Sequence, residues 1–220
     1  MKVKRFYRQR LPHIQQVGAT FFVTFRLYGS IPKVKLYELK EKYTTAVITL
    51  KNIKDKKERN QKLFRLRKEY FANYDRLLDR ISAGPTHLSE DSISGIVKKQ
   101  LHRFDGELYD LICYTIMSNH VHLLISTDVQ LNEEMVDMNL LENYVNLDEI
   151  LKRIKGPSAV YSNRVLGLEG QFWDRENYDV YIRNEKMMDN VISYILNNPV
   201  KAGIVETWEK YNGSYYKYED

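Results

Sequence analysis

The 220-residue chain is 43% hydrophobic, enough to fill the core of one generous domain, and its 34 Lys and Arg against 29 Asp and Glu give a net charge of +5 and a pI near 9.0. This modest basic excess favours nucleic acid as a partner but falls well short of a histone-like balance. No stretch approaches the roughly 18 consecutive apolar residues of a membrane helix, and the single cysteine, Cys113, excludes a disulfide framework and a Cys-type zinc site, so the expectation is a cytoplasmic, nucleoid-associated protein with no membrane partner.

The N-terminal arm carries Arg5, Arg8 and Arg10, cations suited to following backbone phosphates. Residues 18–27, rich in aromatic and β-branched side chains and closed by Gly29-Ser30, predict a central strand. From 35 to 82 the apolar residues Leu63, Leu66, Tyr70, Tyr74, Leu77, Leu78 and Ile81 recur at helical steps, predicting two helices or one bent one as an insertion. Ser89 is placed to cap a helix running to about Phe104.

Residues 108–117 and 120–126 read as two strands joined through Ser118-Asn119, with Asn119 suited to a positive φ. The acidic stretch 128–146 reads as a surface loop. A helix over 147–165 is expected to kink or restart at Gly156-Pro157. A short strand over 178–183 and a helix over 185–197 follow. This order fits one α+β domain spanning 1–220: a ferredoxin-like antiparallel sheet with helices on one face, a helical insertion after the first strand and an extra C-terminal helix.

Chemistry concentrates in two segments. Side chains alternate along a strand, so in His120-Val121-His122 both imidazoles point the same way and can share one divalent ion. About 70 residues later, helical spacing puts Tyr194 and Asn198 on one face. A phenol ionises near pH 10, so a tyrosine nucleophile needs a neighbouring cation, which an ion on the imidazoles would provide. Imidazole ligation leans toward Mn²⁺ or Zn²⁺ and phosphodiester chemistry toward Mg²⁺, and the residues leave that choice open. Trp173 is placed either to anchor its loop as a buried residue or to stack on a base, and Arg175, Arg183 and Lys201 flank the same region as phosphate contacts.

Three ordered blocks resemble a known family. Residues 116–124, Ile-Met-Ser-Asn-His-Val-His-Leu-Leu, are similar to the His-hydrophobic-His motif of the HUH single-tyrosine transposases, with Ser118 where Pro is usual. Residues 171–179, 182–185 and 194–205 resemble the C-terminal block of the REP-associated tyrosine transposases, and Leu11-Pro12-His13 with 18–27 resembles their opening. The resemblance implies metal binding by His120 and His122, Tyr194 as nucleophile, Asn198 completing the metal shell, and Mg²⁺ or Mn²⁺ as cofactor. It implies single-stranded or hairpin DNA as substrate, a 5′-phosphotyrosine intermediate, strand rejoining, and a monomer or homodimer. The alternative reading is a catalytically silent single-stranded DNA or RNA binding module derived from such an enzyme.

Overall fold

The computed structural model describes residues 6–8, 12–14, 16–80, 84–131 and 143–218. It divides into two compact units, Tyr28–Pro85 and the remainder of the chain.

The larger unit is built on a five-stranded antiparallel sheet. Its strands are β3 (Thr20–Leu27), β4 (Asp110–Ile116), β5 (His120–Ser126), β6 (Trp173–Tyr181) and β7 (Ser214–Tyr216), in the order β6-β3-β5-β4-β7. Two short strands, β1 (Phe6–Arg8) and β2 (Pro12–Ile14), pair with each other at the N-terminus. The smaller unit is a helical hairpin of α1 (Lys33–Leu50) and α2 (Lys56–Arg80). The remaining helices are α3 (Asp91–His102), α4 (Leu147–Leu166), α5 (Glu185–Leu196) and the single turn α6 (Asn198–Lys201).

Strands β3, β4, β5 and β6, with α3 before β4 and α4 before β6, reproduce the ferredoxin-like order; β7 extends the sheet beyond β4. Alternation divides the side chains of β5 between two environments. Val121, Leu123 and Ile125 point into the apolar core with Phe21, Val23 and Phe25 of β3, Ile93, Val97 and Leu101 of α3, and Ile150, Leu151 and Ile154 of α4. Burying each of these contributes about 1.5–3 kcal/mol, so this face fixes the register of β5 and with it the direction of the histidines. The opposite face carries His120, His122 and Leu124, and there the extra C-terminal helix, α5, packs across β4 and β5.

Local chemistry sets the helix ends. Asn146 and Asn184 cap α4 and α5, their side-chain oxygens accepting from the amides of Glu149 and Met187 at 3.1 and 2.9 Å. Gly167 ends α4 in the left-handed conformation at φ 64°. In the hairpin unit Asp55 accepts from the Glu58 amide at 2.6 Å to start α2, and the rings of Tyr43 and Tyr70, 4.8 Å apart, join the two helices.

Several expectations need correction. Helix α3 starts after Glu90, because Ser89 belongs to a preceding 3-10 turn and its hydroxyl donates to the Thr86 carbonyl at 2.7 Å. Asn119 does not use a positive φ: among the described residues only glycines do. Helix α4 runs through Pro157 without restarting, with Ser158 donating to the Ile154 carbonyl at 2.8 Å in the turn that proline disrupts. Strand β6 begins at Trp173, five positions before the expected start at Tyr178, and β7 was not anticipated at all. Of the expected loop 128–146, residues 128–130 form a 3-10 turn, and 132–142 lie outside the described residues.

Candidate metal and tyrosine site

The strand pairing of β3 with β5 sets Thr24 opposite His122 and Arg26 opposite His120. Both imidazoles are buried, at 1% and 0% exposure, yet neither lies in the apolar core. Their Nε2 atoms face each other at 3.1 Å. Behind them, His120 Nδ1 meets Asn119 Oδ1 at 2.6 Å and His122 Nδ1 meets Thr24 Oγ1 at 2.8 Å.

With the Asn119 oxygen turned to the ring, one tautomer of each imidazole satisfies these contacts. Asn119 Oδ1 only accepts, so His120 carries its proton on Nδ1 and presents a lone pair at Nε2. His122 then donates from Nε2 across the 3.1 Å gap, and its Nδ1 accepts from the Thr24 hydroxyl. The donor set also fits a divalent ion. Two nitrogens bound at about 2.0–2.1 Å with a tetrahedral angle stand about 3.3 Å apart, close to the separation found. An ion between them would require His122 to move its proton to Nδ1, and Thr24 Oγ1 accepts as readily as it donates.

Tyr194 reaches this pair from α5. Its ring lies edge-on to His122, with centroids 5.3 Å apart and planes at 70°, and edge-on to Phe22 at 5.8 Å. Phe22 in turn stacks on His122 at 5.8 Å, so the phenol and the imidazole share one aromatic wall. One turn on, the Asn198 side-chain amide donates from Nδ2 to the Tyr194 carbonyl at 3.0 Å, which turns its Oδ1 away from that bond. Lys201 sets its ammonium 4.9 Å from the Tyr194 ring centroid. The structure thus brings together four residues singled out in the sequence: His120, His122, Tyr194 and Lys201.

The remaining predicted contacts are dispersed. Trp173 is 5% exposed, donates from its indole nitrogen to Ser158 Oγ at 2.9 Å and packs on Phe25 and Phe172. It is therefore a core anchor, and the expectation that it stacks on a base is corrected. Arg175 and Arg183 are exposed, with Arg183 resting on the Tyr181 ring at 5.0 Å. Arg8 falls on β1, and Arg5 and Arg10 lie outside the described residues.

Sequence reasoning missed Thr24, Asn119 and Phe22 as partners of the pair. It also missed a buried polar cluster beside them. Arg26 makes a 2.6 Å ion pair with Asp174, whose backbone carbonyl accepts from Lys155 Nζ at 2.9 Å, and Asn177 Oδ1 accepts from the same ammonium at 2.9 Å. Burial chiefly, opposed by the Asp174 and Asp148 charges, brings the Lys155 ammonium down to about 8.

No family model and no curated protein matches the chain. The chain is similar to a solved structure of a REP-associated tyrosine transposase bound to a REP hairpin, with a TM-score of 0.48 and 15% sequence identity over 94% of this chain and 82% of that one. Among the described residues no helix is long and apolar enough to cross a membrane.

Proposed function

We propose that this chain is a metal-dependent single-stranded DNA transposase and endonuclease that cleaves by tyrosine attack and rejoins strands at hairpin-forming repeats. One observation carries the reading: a helix tyrosine, Tyr194, rests against an imidazole whose Nε2 faces a second imidazole across 3.1 Å. Neither half is specific alone, but a phenol beside a ready-made pair of nitrogen ligands is what phosphotyrosine chemistry needs.

In this reading His120 and His122 hold Mn²⁺ or Mg²⁺ and Asn198 Oδ1 completes the shell. The bound ion supplies positive charge to the scissile phosphate and its developing negative charge. Tyr194 contributes the nucleophile. Its oxygen bonds to phosphorus as the bond from phosphorus to the 3′ oxygen breaks. The phenolic proton passes to solvent, and the departing 3′ oxygen takes one up. The product is a 5′-phosphotyrosine and a free 3′-OH, and the reverse attack by a 3′-OH rejoins a strand. One diester replaces another throughout, so no nucleotide triphosphate is required. Asn119 and Thr24 orient the two imidazoles, and the exposed Arg175 and Arg183 contact the DNA backbone, with Arg5, Arg8 and Arg10 assigned to the same task.

The test is incubation of the full chain with Mn²⁺ or Mg²⁺ and a panel of hairpin oligonucleotides. The expected product is a denaturant-resistant protein–DNA adduct that is absent in Tyr194→Phe and in His122→Ala. An adduct undiminished in Tyr194→Phe would remove the nucleophile assignment. Tight binding without cleavage by the unmodified chain would place it among silent single-strand binding modules.

A further inference from the structure

The ammonium of Lys201 rests on the Tyr194 ring, and among the described residues no carboxylate pairs with it. Residues 194, 198 and 201 stand at spacings of four and three, and the backbone keeps this helical course across the α5–α6 junction, with the Lys201 amide donating to the Asn197 carbonyl at 2.9 Å. That geometry sets Lys201 on the same face as the phenol. Three exposed lysines of this unit are neutralised locally, Lys152 by Asp148 and Glu149, Lys210 by Glu206, and Lys217 by Asp110. Among the described residues no carboxylate forms an ion pair with Lys201, whose ammonium instead lies 4.9 Å from the ring centroid.

Tyr194 is half-buried, and for the Lys201 ammonium over its ring a charge-assisted hydrogen bond to a phosphate oxygen is a stronger contact than the ring face. The Tyr194 hydroxyl is buried, so a phosphate that reaches it must come up against the ring that the Lys201 ammonium covers. Lys201 lies over the face of that ring, while His122 packs against it with the two ring planes at 70°. We propose that Lys201 is a catalytic residue that binds the non-bridging oxygens of the phosphate attacked by Tyr194, using the ring as its resting place before DNA arrives. This rests on the tyrosine reading and adds a charge that does not depend on the metal site.

The proposal is tested with Lys201→Gln and Lys201→Arg in the full chain, using Lys210→Gln as a control for loss of one surface charge. Single-turnover adduct formation is followed at saturating hairpin oligonucleotide. Lys201→Gln is expected to lower the rate about 100-fold, the scale of losing one donor to a developing oxyanion, while Lys201→Arg restores most of it and Lys210→Gln has no effect. The cleavage position, read from the labelled product, then allows the scissile phosphate to be replaced by an uncharged methylphosphonate. On that substrate Lys201→Gln and the unmodified chain should react at equal rates. An equal deficit on both substrates would mean that Lys201 only props the ring, and would overturn the proposal. Failure of the unmodified chain to form an adduct with any oligonucleotide would overturn the tyrosine reading and this role with it.

Discussion

The ring of Tyr194 meets that of His122 edge to face within a single chain, with centroids 5.3 Å apart. The proposed nucleophile and the proposed metal ligands therefore do not need a second copy of the chain to meet. Mixing Tyr194→Phe with His122→Ala protein is predicted to restore no adduct-forming activity, because neither chain then carries a complete pair. Recovery of activity in the mixture, read on a denaturing gel, would show that the tyrosine works across an interface.

The proton arrangement of the pair gives a second prediction. Without metal, the contacts with Asn119 and Thr24 favour a proton on Nε2 of His122 and on Nδ1 of His120. Adding Zn²⁺ or Mn²⁺ should move the His122 proton to Nδ1; nitrogen-15 spectra of the imidazoles with diamagnetic Zn²⁺ report this directly. Thr24→Val keeps the shape but removes the group that accommodates both tautomers. It should weaken metal binding by about 10–100-fold in calorimetry, the usual scale for a partner behind the ligands. Unchanged affinity would deny Thr24 that part.

What could be read in the sequence followed from periodicity. The strand bearing His120 and His122 was bounded correctly because its alternation needs no knowledge of a partner strand, and Tyr194 was placed by helical spacing alone. Thr24 could not be found this way. It lies 98 residues from His122 and becomes its partner only through the pairing of β3 with β5. The start of β6 was hidden because Asp174, Arg175 and Glu176 have the composition of a turn, and an edge strand tolerates such charges. The three-residue strand β7 has too few residues for any alternation and exists by pairing with β4. Trp173 could be read as a core anchor or a stacking ring, and sequence did not decide between them because its indole partner, Ser158, sits on α4, which no local pattern links to it.

The ion pair between Arg26 and Asp174 couples the edge strand to the strand opposite His120. Its side chains are 3% and 18% exposed, and the contact is 2.6 Å. Asp174→Ala should destabilise the fold by about 3 kcal/mol, because a buried guanidinium loses a charged partner. Replacing both, as in Arg26→Met with Asp174→Leu, should cost less than the single change. Urea unfolding of the three variants decides this; a double variant as unstable as Asp174→Ala would mean that the charges themselves hold the strand.

Lys155 makes stability depend on pH with a definite sign. Burial brings its folded value down to about 8 from the ordinary 10.5, so between those limits the unfolded chain keeps a proton that the folded chain has released. The unfolded state then binds more protons, and stability rises with pH, by at most about 1.4 kcal/mol per unit for one group. Below pH 8 both states are protonated and the penalty of the buried ammonium is fully present. The tyrosines set the upper limit. Burial raises Tyr109 and Tyr114 above the ordinary 10.0, so above that pH the unfolded chain loses phenolic protons that the fold retains, and stability falls again. Urea midpoints should therefore climb from pH 8 toward pH 10 and then decline. Lys155→Met replaces the ammonium that lies over the Phe25 ring with an apolar side chain that has no proton to release, and its midpoint should climb less over the same window. A climb as steep as that of the unmodified chain would assign the effect to other groups.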